Sequence, residues 1–346
     1  MKWYTFLVAV AQPLVGGQAV IEGVMMRSPN SFAVAVRRPD KSIVVRERQW
    51  LSFSEKFKFL RWPLLRGATM LIESMYNGLS ALQFSAEQAL GDSTAASKPG
   101  KKIDFALLGT MAVSMILGIA LFKAVPHIVA FTLGELLGHD GQSALPITQM
   151  GFHLVDGAIK MSIFVGYILL ISRMPDVKRI FMYHGAEHKS VHCFEKGFPL
   201  EVAPTRLQST AHPRCGTSLI LLVIAVSIVM FALVLPHVPS VSDNTIIQSL
   251  FLLALKVPLM LPIAGVAYEF QRAAAKNPKN WLIKIFISPG MLMQRLTTSE
   301  PTDDQLEVSL SALRKTLWRE KNMQSDSPVD NLEVYSDFEG VKLAVS

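Results

Sequence analysis

The sequence predicts an α-helical integral membrane protein, with four transmembrane helices, a small cytoplasmic antiparallel β-sheet and interfacial amphipathic helices. Three observations predict it. Charged residues make up 18% of the 346 residues and hydrophobic ones 50%, whereas a soluble protein carries about a quarter charged. The apolar residues gather into four stretches, each close to the ~20 residues that cross a bilayer core. The basic residues then alternate with those stretches. Fourteen Lys and Arg precede the first, seven lie in 173–216 and ten follow from Glu269 onward, while 126–148 and 236–244 hold none. Four spans with both termini cytoplasmic put every basic segment on the inner side. The net charge of +7 is thereby a matter of orientation, and no basic-aromatic pattern points to nucleic acid. The lipid bilayer is the partner such spans require.

Residues 1–62 form a β-rich cytoplasmic segment. Lys2 and the short apolar run Trp3–Ala11 resemble a signal peptide. Cleavage there would leave the basic stretch 27–66 outside, so the first fifteen residues are expected to be retained as a strand or interfacial segment. Ala19–Met26 reads as one strand with Glu22 and Gly23 inside it, Gly16-Gly17 as a turn and Gly23 as a bulge. Phe32–Arg38 and Ile43–Arg48 are valine-rich strands around the turn Pro39-Asp40-Lys41-Ser42.

Residues 63–102 are an interfacial helix and linker. Pro63 can open the helix, and Leu64, Leu65, Ala68, Leu71, Ile72, Met75, Leu79 and Leu82 give it a broad apolar face. A fifth crossing would carry the N-terminal basic residues outside, so 63–90 is expected to be interfacial or re-entrant. Residues 91–102 are small and polar.

Residues 103–271 are the four-span membrane domain, with spans Phe105–Val125, Gln149–Ser172, Thr217–Leu235 and Thr245–Tyr268 and a cytoplasmic His/Cys loop at 173–216. Asp156 and Lys160 are four apart in the second span and can pair on one face. Intramembrane charge is costly and marks either function or helix packing. Lys123 is expected to snorkel at an outer end; Lys256, mid-span beside Pro258 and Pro262, has no such exit.

Residues 272–321 hold cytoplasmic amphipathic helices. Trp281–Leu296 is apolar and basic, broken at Pro289-Gly290, and expected on the inner leaflet. Thr302-x-x-Gln305 is a capping-box spacing before a helix striped by Leu306, Leu310, Leu313 and Leu317. From 322 to 346 the chain is polar and acidic and reads as a disordered tail.

The chemistry concentrates in Tyr183–Cys193. His184, Glu187 and His188 form H-x-x-E-H. On a helix these positions share one face, so two imidazoles can hold one metal ion beside a carboxylate, as in the inverted zinc-peptidase signature. The second cluster, His212-Pro213-Arg214-Cys215-Gly216, adds the N/S donors that zinc prefers. The two cysteines, Cys193 and Cys215, fall on the cytoplasmic side, where thiols stay reduced. The expected ligands of a Zn2+ or similar ion are His184, His188, His212 and Cys215. Glu187 is the fourth-position ligand or the catalytic base, and His192, Glu22 and Glu269 are candidates to hydrogen-bond the ligands. A histidine-rich juxtamembrane helix with no metal is the plainer alternative, and structural zinc sites use the same ligand types.

Gly16–Arg27, Tyr183–Lys189, His212–Ser218 and Gln294-Arg295-Leu296-Thr297-Thr298 resemble the bacterial YqhQ-like family, multi-pass membrane proteins described as predicted metal-dependent enzymes. The resemblance runs from about Gly16 to Leu313. It implies a bacterial inner-membrane location and metal dependence. Three functions are compatible with the sequence. One is a metal-dependent hydrolase. The second is a non-catalytic membrane scaffold or accessory protein for membrane-protein assembly, with a membrane-protein partner or a second copy of itself. The third is a small transporter built on Asp156, Lys160 and the Pro-broken fourth span.

Overall fold

The computed structural model describes residues 13–90, 109–110, 113–114, 116–118, 120–139, 143–277, 280–322 and 330–345. The N-terminal run and the linker expected at 91–102 lie outside the described residues, apart from residues 13–15.

The sheet is the frame on which the histidine helix rests. Strands β1 (Gly16–Val20) and β2 (Gly23–Arg27) form a hairpin, followed by β3 (Ser31–Arg37) and β4 (Ile43–Gln49). With a fifth strand, β5 (Asp330–Tyr335), all pairings are antiparallel in the order β1-β2-β3-β4-β5. Ala19–Met26 is therefore not one strand. Val20 pairs with Gly23, so the chain turns at Ile21-Glu22, with Glu22 at φ 51°. The turn lies within an apolar run and lacks the usual Asn-Gly signal. Gly16 and Gly17 belong to β1 rather than to a turn. Gly23 is in β2 rather than at a bulge, and a Cβ there would stand 2.3 Å from the Ala35 carbonyl oxygen.

Strands bury alternate residues on opposite faces, and here both faces are covered. Val24, Met26, Ala35, Ile43 and Val45 pack with Tyr183 and Val191 and with Val308, Leu310 and Leu313. Val20, Met25, Val34, Val36 and Val44 pack with Trp50, Ala81 and Phe84. One face thus meets α4 (Pro175–Glu195) and α8 (Asp303–Lys321), and the other meets α1 (Leu65–Ala89). The expected capping box is present at Thr302 and Gln305.

The tail is not disordered where it is described. Asp330–Tyr335 forms β5, antiparallel to β4, and Phe338–Ala344 forms α9. Phe338 and Val341 are buried. The low hydropathy of this segment hid a strand that draws its stability from backbone pairing with a sheet edge, and a short helix anchored by two apolar side chains.

Four helices are long and apolar enough to cross a membrane: α2 (Ile116–Leu137), α3 (Met150–Ile171), α5 (Gly216–Val234, continued to His237) and α6 (Thr245–Lys276). Three fall where expected. The first runs on past its expected end at Val125 to Leu137, because Pro126 does not end it. A π-helical turn at Ala120–Ala124 precedes the proline, and such turns re-route the bonds a proline removes. Lys123 lies on that turn. It does not snorkel: its Nζ is 5.5 Å from the Phe231 ring centre and 3.9 Å from Met260 Sδ. These helices turn large apolar side chains outward, Leu170, Val257 and Ile246 among them.

Helix α1 is inverted in the same way. It buries Gly67, Glu73, Asn77 and Gly78 and exposes Ile72, Met75 and Leu79. Gly67 and Gly265 let α1 and α6 touch backbone to backbone; a Cβ at Gly265 would stand 2.4 Å from the Leu64 carbonyl oxygen. Helix α7 (Trp281–Thr297) runs unbroken through Pro289, contrary to the break expected there. Gly290 beds it on Ser218 at the start of α5, where an added Cβ would come within 2.9 Å of the Ser218 Cβ.

Candidate metal centre

Helix α4 is buried from Tyr183 to Val191, enclosed by β1, α8 and the loop 199–215. His184 and His188 lie one turn apart on one face, with ring centres 4.4 Å apart. Each is held by its Nδ1. His184 Nδ1 donates to the Thr297 carbonyl at 2.7 Å, and His188 Nδ1 donates to the Thr210 carbonyl. A carbonyl only accepts, so the hydrogen sits on Nδ1 in both rings and the Nε2 lone pairs are left free. Both Nε2 atoms converge with Cys215 Sγ. His184 Nε2 is 3.1 Å from the sulfur, and the three donor atoms all lie within 4.8 Å of one another. His188 is 1% exposed, yet its Nε2 has no hydrogen-bond partner. Buried polar atoms are seldom left so. Histidines fixed through Nδ1 to a carbonyl, with Nε2 presented inward, are what metal ligation demands.

Cys215 is the N-cap of α5, where aligned backbone N–H groups favour negative charge. Its sulfur also meets Thr217 Oγ1 at 3.0 Å. Glu187 is buried beside the group, Oε2 3.4 Å from His188 Nε2. Gly17 makes room for it: a Cβ there would stand 2.7 Å from Glu187 Cγ.

His212, expected among the same ligands, stands in a neighbouring group with His192 and Glu195. The four imidazoles form a row, His184–His188–His212–His192, with successive ring centres 4.4, 5.7 and 4.6 Å apart. His192 Nε2 donates to the Ala211 carbonyl at 2.8 Å. His212 Nδ1 accepts from the Arg214 N–H, and its Nε2 faces Glu195 Oε2, both at 3.3 Å. Burial pushes the His192 imidazole below its ordinary value. Burial also opposes ionisation of Glu195, but His212 and Arg214 outweigh it and hold that carboxyl below the usual range.

The other expected participants engage elsewhere. Glu22, at the hairpin tip, receives Arg179 Nη2 at 2.6 Å and the Tyr183 hydroxyl at 3.3 Å. Glu269 receives Arg66 and ties α6 to α1. From the end of α6 it is Gln271 that reaches the site, through the Cys215 carbonyl at 3.0 Å.

The residues that build the site also include several not singled out as site residues in the sequence. Gln294 clamps His212 from both sides, accepting its N–H and donating to its carbonyl, each at 2.8 Å, and donating to Ser218 Oγ at 2.6 Å. Gly185 admits the turn after α7, where Ser299 N–H bonds the Phe181 carbonyl. A Cβ at Gly185 would stand 2.1 Å from the Ser299 oxygen. Lys189, also buried, reaches the Arg206 carbonyl at 2.7 Å and Glu300 at 2.8 Å. Glu195 carried a readable signal, since His192-x-x-Glu195 repeats the i, i+3 spacing of His184 and Glu187. Gln294 and Gly185 carried none beyond lying in the motifs.

The four motifs that are far apart in sequence thus meet at one place. Comparison with known proteins agrees. Residues 62–319 match the family described as protein of unknown function (DUF1385). The uncharacterized protein YqhQ of Bacillus subtilis (strain 168) is 31% identical over 333 residues, covering 92% of this chain and 98% of that protein. No solved structure matches the chain. The chain therefore belongs to the YqhQ-like family of proteins, whose function is unknown.

Proposed function

We propose that this protein is an inner-membrane, metal-dependent hydrolase with its catalytic group on the cytoplasmic side. The observation that carries the proposal is the convergence of His184 Nε2, His188 Nε2 and Cys215 Sγ, with both Nδ1 atoms already committed to carbonyls. Two imidazoles and one thiolate suit zinc. Three protein donors leave a tetrahedral ion one position for water, as in catalytic zinc sites, whereas structural sites close the shell with four. A bound zinc ion would supply Lewis acidity and lower the pKa of that water.

The chain's own residues divide the remaining work. Thr297 and Thr210 fix the imidazoles through their carbonyls. Glu187, beside His188, is placed to accept a proton as general base. Lys189 and Gln294 hold the two loops that close over the helix. The cytoplasmic side rests on the basic-residue asymmetry, and the bilayer is the partner proposed for the outward apolar side chains of α2, α3, α5 and α6.

A structural metal is the second reading. His184, His188 and Cys215 are 8%, 1% and 6% exposed, which leaves a substrate little access. In that case the metal would knit α4 to α5, and the protein would serve as a scaffold for membrane-protein assembly or for a second copy of itself. Glu187→Gln separates the two. The hydrolase reading predicts that purified Glu187→Gln keeps its metal and melting temperature yet fails to complement a deletion strain. It also predicts that the cobalt-substituted wild type takes up a hydroxamate at the open position, with a change in its visible spectrum. Full complementation by Glu187→Gln and a spectrum indifferent to hydroxamate would establish the structural reading instead.

A further inference from the structure

A second cluster of buried charge lies in the helical layer. Helix α3 presents His153, Asp156 and Lys160 on one face, 1%, 2% and 5% exposed. Lys256 of α6, 1% exposed, donates to Asp156 Oδ2 at 2.9 Å, while Lys160 Nζ is 3.7 Å from the same oxygen. The pair expected from spacing therefore exists, but Lys256 is the closer partner. Asp156 Oδ1 has no hydrogen-bond partner. Lys123 of α2 completes the group. The three ammonium groups lie 5.5, 5.8 and 5.6 Å from the centre of the Phe231 ring. His127 of α2 and His153 flank Phe152, with ring centres 5.0 and 5.5 Å from it. Neither nitrogen of either imidazole has a partner.

Among the described residues, then, three lysines gather about one ring inside helices apolar enough to span a membrane, and the carboxylate of Asp156 pairs with two of them. An uncompensated charge in such surroundings is costly, and charged groups there come in matched sets. The face of an aromatic ring answers part of the excess but accepts no full hydrogen bond. The groups in surplus are donors: ammonium groups and the N–H of each imidazole. One negative ligand would offset part of the excess charge and accept from those donors.

We propose that Lys123, Lys160 and Lys256, with His127 and His153, form a binding site for a small inorganic monoanion of the size of chloride. Lys160 and Lys256 both reach the same Asp156 oxygen, at 3.7 and 2.9 Å, so a ligand that touches both ammonium groups is small. Asp156 is a positioning residue. It holds Lys256 and Lys160 in place and offers no donor to the anion. The site does not depend on the histidine–cysteine group, which lies at the other end of α5.

The test uses the full-length protein in detergent, with chloride titrated against gluconate at constant ionic strength. Chloride is expected to raise the melting temperature with the logarithm of its concentration above Kd, by about 4 °C at a hundredfold excess. Lys123 makes no ion pair with a described residue, so Lys123→Met is the variant of choice. It should fold and lose the chloride response. His184→Ala should retain the response, which separates this site from the metal centre. Equilibrium binding of radiolabelled chloride to the wild type, needing no variant, should approach one ion per chain. Absence of saturable binding to the wild type would overturn the proposal, as would an undiminished response in Lys123→Met.

Discussion

Gly185→Ala is the most discriminating small change the site offers. An added Cβ would stand 2.1 Å from the Ser299 carbonyl oxygen, with the Thr210 methyl 3.4 Å away. Ordinary carbon–oxygen contact lies above 3 Å, so the turn at 297–299 must retreat by about 1 Å. Overpacking of this kind costs about 1–3 kcal/mol. The damage is also directional. The same turn carries the Thr297 carbonyl that holds His184 Nδ1 at 2.7 Å. Losing a partner that orients a metal-bound histidine weakens binding by about 10–100-fold, which is ~1.4–2.8 kcal/mol. Competition with a chromophoric chelator reads that affinity directly. Gly216→Ala is the control, since it adds a methyl group beside Cys215 with nothing within 4 Å. Wild-type affinity in Gly185→Ala, or an equal loss in Gly216→Ala, would refute the argument that the 297–299 turn positions the ligand.

Other consequences follow from single contacts. Gln294→Leu leaves the His212 N–H and C=O without partners, each at about 1–3 kcal/mol, and thermal melting should fall accordingly; an unchanged melt would deny the clamp. Ending the chain at Pro328 removes β5 and α9, with the burial of Phe338 and Val341 worth about 1.5–3 kcal/mol each, and should lower the melting temperature and expose β4 to aggregation seen by light scattering. For Glu195, the folded carboxyl lies below its ordinary value of 4.5. Its contribution is therefore present above that pH and lost as pH falls through the folded value, so the stability gap between wild type and Glu195→Gln should close on acidification; a gap that widens would reverse the assignment. For orientation, Ala144→Cys and Leu207→Cys should label from opposite sides of the membrane, against a low background because Cys193 and Cys215 are buried. Labelling of both from one side would contradict the four-span arrangement.

Much of this architecture was legible because its signals are periodic. Apolar length located α3, α5 and α6, and the Thr302/Gln305 spacing located the start of α8. What escaped was governed by the local chemistry of one or two residues. The hairpin at Ile21-Glu22 was hidden because both faces of the sheet are buried, which erases the polar interval that marks a turn. Pro126 and Pro289 looked like helix ends. A proline removes only one donor, and a π-turn or close packing absorbs the loss. Strand β5 is held by backbone pairing, to which composition is blind. At the site, the H-x-x-E-H spacing placed His184 and His188 on one face, and a rule of donor chemistry drew in Cys215. The assignment of His212 to the neighbouring group depends on a loop geometry set by Gln294, 82 residues away in sequence.

The central claim is that His184, His188 and Cys215 hold one metal ion. Elemental analysis of protein purified from metal-replete cells tests it most directly, with His188→Ala and Cys215→Ala measured beside the wild type. His188 Nε2 is buried without a partner, and a bound ion would supply one. The account predicts close to one equivalent of zinc or a similar divalent metal in the wild type and near-background content in both variants. Metal-free wild type that also takes up no zinc on stoichiometric titration would contradict it, and so would undiminished metal in the two variants.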